Sequence, residues 1–152
     1  MKINIEINGL KKDIEIDPSE TLLDALRKTG LKSVRRSCDT SSCGVCTVLM
    51  DGLPILSCSL LAARAEKHKI TTIEGIQEEA SEFANFMVAE GAEQCGFCSP
   101  GLVLCIYAMK NESKNISAEE IDRYLAGNLC RCSGYEGQRR AIYSYMGVRR
   151  YE

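Results

Sequence analysis

Eight of the nine cysteines in this 152-residue chain fall into two groups, and no other feature limits its fold and chemistry so strongly. Cys38, Cys43, Cys46 and Cys58 follow one another with four, two and eleven residues between them. Cys95 and Cys98 have two residues between them, and after thirty-one more residues come Cys130 and Cys132 with one residue between them. An odd total of cysteines argues against a disulfide framework. So does the N-terminus, where Met1-Lys2-Ile3-Asn4-Ile5-Glu6 alternates polar and apolar residues and lacks the apolar core of an export signal. The chain is therefore expected in the reducing cytoplasm, where thiols stay available to metals. Cysteine as a small buried hydrophobe suits only Cys105, inside the apolar stretch from Leu102 to Met109.

That stretch is the longest strongly apolar one and falls far short of the roughly 20 residues of a spanning helix, so no membrane span is expected. Nineteen basic and 21 acidic residues leave a net charge of −2 with no basic stripe. No nucleic-acid or membrane-surface role follows from such a balance, which leaves protein or small-molecule partners.

The first group has the spacing of a plant-type [2Fe-2S] ligand set. Three thiolates come from one tight loop, and the fourth is expected from the end of a neighbouring strand at Leu56-Ser57-Cys58. A structural zinc ion is the competing occupant, although zinc ligands usually come as two separated close pairs. In the second group the single residue between Cys130 and Cys132 is unusual for zinc, so spacing alone favours iron-sulfur there. Ser99-Pro100-Gly101 opens a helix beside Cys95 and Cys98, and its positive end favours an anionic thiolate cluster.

Around these cysteines the apolar period changes once. Ile3, Ile5 and Ile7, then Asn8-Gly9, then Ile14 and Ile16 predict a β-hairpin. Thr21 with Asp24 caps a helix over 22–29 that Gly30 closes. Thr47 to Met50 and Pro54 to Leu56 flank Asp51-Gly52 as a second hairpin, and 70–73 adds a strand. An α+β domain with a mixed sheet is expected over 1–76. A helical domain is expected over 77–152, with one helix carrying Phe83 and Phe86, one with Ser99 as cap and Pro100 at its first position running through Lys110, one following the Ser117/Glu120 capping box, and one carrying Ile142 and Tyr145. The helix after Ser99 is apolar on every side and is expected to be central.

Gln94-Cys95-Gly96-Phe97-Cys98-Ser99-Pro100-Gly101 and Gly127-Asn128-Leu129-Cys130-Arg131-Cys132-Ser133-Gly134-Tyr135 resemble the paired signatures of the molybdenum hydroxylase family, which includes xanthine dehydrogenase, aldehyde oxidoreductase and aerobic carbon monoxide dehydrogenase. Cys43-Gly44-Val45-Cys46-Thr47-Val48-Leu49 resembles that family's first-cluster loop. The resemblance spans most of the chain and matches the length of a separately encoded small iron-sulfur subunit. It implies an N-terminal plant-type ferredoxin-like β-grasp domain followed by an all-α four-helix-bundle domain, each with a [2Fe-2S] cluster.

By the same resemblance the molybdopterin-type cofactor sits on a large partner subunit, the helical-domain cluster lies nearest to it with Gln94 in contact, and FAD sits on a further subunit. Electrons then pass from the molybdenum centre through the two clusters toward the flavin or another acceptor, and this chain supplies no catalytic acid or base. A free-standing two-cluster ferredoxin-like carrier is the alternative. The family loop usually has glycine where this chain has Ser37, Asp39 and Ser41. Arg35 and Arg36 precede the first loop and could attract electron density toward its cluster or meet a partner, and Arg139, Arg140, Arg149 and Arg150 could dock on one, but these arginines and His68 read more simply as solvated charges.

Overall fold

Alternating isoleucines decide where the first core lies. In the computed structural model, which describes residues 1–112 and 116–149, Ile3, Ile5 and Ile7 of β1 (Lys2–Ile7) are buried while Lys2 and Asn4 face solvent. Asn8 and Gly9 both take positive φ (50° and 80°), as a two-residue type I′ turn requires. The chain returns as β2 (Leu10–Glu15), antiparallel to β1. Asp51 and Gly52 (φ 51° and 86°) repeat the device between β3 (Thr47–Met50) and β4 (Leu53–Leu56).

The strand predicted at 70–73 is β5 (Lys69–Thr71), and Ile73–Gly75 turns instead into a 3-10 helix. β5 pairs parallel with β1 and antiparallel with β3, giving a mixed sheet of order β2-β1-β5-β3-β4. Across it lies α1 (Leu22–Lys28), one residue shorter than predicted, with the Thr21 hydroxyl accepting from the Asp24 N–H at 3.2 Å. Leu22, Leu23 and Leu26 pack on the isoleucines and on Val48 and Ile70, so the sheet grasps one helix.

The second half forms a four-helix bundle of α2 (Gln77–Ala89), α3 (Ser99–Glu112), α4 (Ala118–Leu125) and α5 (Glu136–Met146). As expected, α3 is central: Leu102, Leu104, Ile106, Ala108 and Met109 are all buried. It starts at Ser99 itself and runs two residues past Lys110. The Ser99 hydroxyl bonds the Glu93 carboxylate. The capping box is present in full: Ser117 Oγ accepts from the Glu120 N–H, and the Glu120 carboxylate accepts from the Ser117 N–H at 2.8 Å. Cys105 is buried in α3, as read from sequence.

The two halves share β3. Val48 points into the α1 core and Leu49, one residue on, joins the helical core with Leu104 and Phe83. Beside it the first turn of α3 meets the cysteine loop backbone to backbone. A Cβ on Gly101 would lie 2.4 Å from the Gly44 carbonyl oxygen and 3.0 Å from that of Val45. A Cβ on Gly44, itself at φ 72°, would lie 2.6 Å from the Gly127 carbonyl oxygen.

Gly101→Ala is therefore expected to cost about 1–3 kcal/mol, the usual range for overpacking, read as a lower denaturant midpoint at unchanged slope. Gly127→Ala, whose added Cβ meets nothing within 4 Å, should leave the midpoint nearly in place.

Candidate metal centres

Backbone shape brings the first thiols together. The loop from Cys38 to Cys46 links α1 to β3, and its N–H groups turn toward sulfur. Hydrogen bonds from the Ser42 N–H, the Cys43 thiol and the Thr40 N–H hold the Cys38 thiol down at about 6. Cys43 and Cys46 are buried. Burial pushes Cys46 up to about 11, and its thiol shares a hydrogen bond with that of Cys58. Cys58 sits in a 3-10 turn (Ser57–Ser59) just beyond β4, one step past the strand end where sequence put it. Ser57, fully buried, ties that turn to the loop by donating its hydroxyl to the Cys46 carbonyl at 2.7 Å.

The second group assembles from two loops. Cys95 and Cys132 place their Sγ atoms 3.5 Å apart, and Cys98 meets Cys130. Burial, then sharing with Cys130, pushes the Cys98 thiol up to about 11. Burial also pushes Cys130 up, but hydrogen bonds from the Ser133 side chain and backbone outweigh it and leave that thiol lowered, the Ser133 N–H lying 3.4 Å from Cys130 Sγ. The Tyr135 hydroxyl accepts from the Cys130 N–H at 3.1 Å. Gln94 is exposed and donates from Nε2 to the Cys132 carbonyl at 3.2 Å, beside the exposed pair Cys95 and Cys132.

The thiols thus meet in pairs: Cys38 with Cys43, Cys46 with Cys58, Cys98 with Cys130, and Cys95 with Cys132. Among the described residues no three Cys, His, Asp or Glu side chains come close enough to hold a single ion. Two pairs per site match a [2Fe-2S] cluster, in which each iron takes two protein ligands. The N–H groups aimed at Cys38 and Cys130 are the hydrogen bonds an anionic cluster draws on, so the residues present fit such a group.

The two sites adjoin. Cys43 of the first lines one cleft of about 420 Å³ with all four cysteines of the second, and the Leu129 N–H donates to the Cys43 carbonyl at 2.9 Å. Sequence reasoning missed this bridge and Ser57, because no local pattern predicts contacts between distant loops. Two charges read as solvated, Arg35 and Arg139, are instead tied into the fold, while Arg36, His68 and Arg140 form half-exposed surface ion pairs. Arg35 donates to the carbonyls of Gly96 (2.6 Å) and Phe97 (2.9 Å). Arg36 pairs with Asp24, His68 Nδ1 lies 2.5 Å from the Asp51 carboxylate, Arg139 binds Asp122 and Tyr143, and Arg140 binds Glu90. Arg149 is exposed, and Arg150 lies outside the described residues.

Comparison with known proteins agrees with this geometry. Residues 5–72 match a 2Fe-2S iron-sulfur cluster binding domain and residues 72–143 a [2Fe-2S] binding domain. The chain is 40% identical over 136 residues to the nicotinate dehydrogenase small FeS subunit of Eubacterium barkeri, covering 88% of this chain and 87% of that one. It is 44% identical over 138 residues to the xanthine dehydrogenase iron-sulfur-binding subunit of Escherichia coli O157:H7, with the same shares covered. The chain belongs to the molybdenum hydroxylase family, as a [2Fe-2S] subunit.

Quinoline 2-oxidoreductase from Pseudomonas putida 86 has a chain of the same fold, with a TM-score of 0.88 and 36% identity over 96% of this chain and 92% of that one. The aldehyde oxidoreductase of Desulfovibrio desulfuricans ATCC 27774 also reaches 0.88, with 31% identity, but this chain covers only 17% of it. In this molybdenum hydroxylase subunit, of the three serine or aspartate residues that replace the usual loop glycines, only Ser41 adopts the left-handed conformation (φ 53°). Asp39, the residue type that tolerates that region better, does not occupy it. The Ser41 hydroxyl lies 3.5 Å from Cys58 Sγ.

A left-handed residue with a Cβ costs roughly 1–2 kcal/mol. Ser41→Gly is expected to recover about 1 kcal/mol of that as a higher melting temperature of the metal-loaded protein, whereas Ser41→Ala, equally strained, should gain nothing.

Proposed function

We propose that Cys38, Cys43, Cys46 and Cys58 hold one [2Fe-2S] cluster in a domain spanning 1–76, and that Cys95, Cys98, Cys130 and Cys132 hold a second in a domain spanning 77–152. The observation that carries this is the meeting of the eight thiols in four pairs, two at each site. Each cluster supplies a one-electron carrier, and the subunit's function is to relay electrons from a molybdenum centre on a large partner subunit toward an FAD subunit or another acceptor.

The chain's own residues bind, shield and orient. Cys43 and Cys46 stand out of water while Cys95 and Cys132 reach the surface, so the second site is the one open to a partner. Half-exposed Phe97, Leu129 and Tyr135 surround it, an apolar collar suited to covering by a large subunit. Gln94, anchored on the Cys132 carbonyl, is positioned on that face to meet a partner's molybdopterin-type cofactor. Free thiols of this number suit the reducing cytoplasm, and among the described residues no helix is long and apolar enough to cross a membrane. The relatives named for nicotinate and xanthine share this one chain plan, so the substrate is chosen on the molybdenum-bearing chain.

Iron and acid-labile sulfide measured on the purified complex test the ligand assignment. Cys58→Ser and Cys130→Ser are each expected to remove half of both, and Cys105→Ala to remove none. Stoichiometric zinc in the parent complex, or a full iron complement in Cys130→Ser, would overturn it.

A further inference from the structure

Arg35 is rooted in one half of the molecule and spent on the other. Its backbone is held from below: Arg27 donates to the carbonyls of Lys32 (3.2 Å) and Val34 (2.7 Å), the Val34 side chain is buried in the α1 core, and Arg36 is tied to Asp24 on α1. From this fixed base, three residues before Cys38, the side chain crosses to the other cysteine group. Its Nη1 donates to the carbonyls of Gly96 and Phe97, which are the two residues between Cys95 and Cys98, and the guanidinium lies 5.1 Å from the centre of the Phe97 ring. Gly96 sits at φ 66°, so the loop has a shape few residues adopt, and an outside group grips both of its carbonyls.

We propose that Arg35 is a positioning residue for the second metal centre: it clamps the Cys95–Cys98 loop to the segment that leads into the first cysteine loop, and it fixes a permanent positive charge on the loop that carries Cys95 and Cys98. The inference rests on the cluster assignment above. Two hydrogen bonds and a ring contact fix both the loop's orientation and the guanidinium's own position. Arginine stays charged at any working pH, so it stabilises the added negative charge of the reduced state and raises the reduction potential. Lysine can supply the charge but not the planar fork or the stacking, and this separates the two parts of the role.

The test uses the whole complex with three variants: Arg35→Met, Arg35→Lys and Phe97→Leu. Redox titration followed by electron paramagnetic resonance reads the potential of each centre, and hydrogen exchange reads the amides of residues 96–98. Arg35→Met is expected to keep its iron, to lower the reduced-to-oxidised ratio of the second centre about tenfold at fixed poise (~59 mV for one electron), and to speed exchange in the loop. Arg35→Lys should restore most of the potential but not the slow exchange, and Phe97→Leu should speed exchange with little change in potential. Unchanged exchange in Arg35→Met overturns the clamp, and an unchanged potential at full iron content overturns the electrostatic part. If the parent complex carries no iron, the cluster assignment fails separately, and the exchange rates still decide whether Arg35 holds the loop.

Discussion

Four sulfur atoms packed together and partly removed from water form an unstable arrangement unless something replaces their protons. As free thiols they share hydrogens in pairs, and burial, followed by that sharing, pushes Cys46 and Cys98 up to about 11. Iron bound there would displace those protons and compensate the charge that would otherwise keep four thiolates apart. Much else in the structure serves that requirement. Backbone N–H groups point at Cys38, Ser133 points at Cys130, and Ser57 holds the turn that delivers Cys58.

Two separate sites of this kind become one device because the halves of the molecule meet at backbone distance. The alternation of β3 sends Val48 to one core and Leu49 to the other, so a single strand is packed from both sides. Gly44 and Gly101 let the loop and α3 approach more closely than any side chain would allow. The Leu129–Cys43 hydrogen bond then joins the residue before one candidate ligand to another candidate ligand itself. A contact built from glycines and main-chain atoms is stiff, which suits a chain whose task is to keep two carriers at a fixed separation.

Most of the architecture was legible in the sequence because its signals are local. Asn8-Gly9 and Asp51-Gly52 announce turns that only positive φ can make, Ser117 and Glu120 announce a helix start, and isoleucine at every second position announces the buried face of β1. The cysteine spacing pointed to the candidate sites for the same reason: three cysteines of the first group lie within a single loop, and the second group consists of two close pairs. What stayed hidden depends on contacts across the fold. Arg35 and Gly96 are 61 residues apart, and Arg139 with Asp122 belongs to two different helices, so each arginine read as an ordinary solvated charge. Ser41 was visible as a departure from glycine, but only the backbone reveals that it, and not Asp39, carries the left-handed conformation.

Electron paramagnetic resonance of the chemically reduced, purified protein decides whether this one chain carries two separate two-iron centres. Two distinct reduced-cluster signals of equal integrated spin are the predicted result; a single signal, or a silent sample rich in zinc, would contradict it.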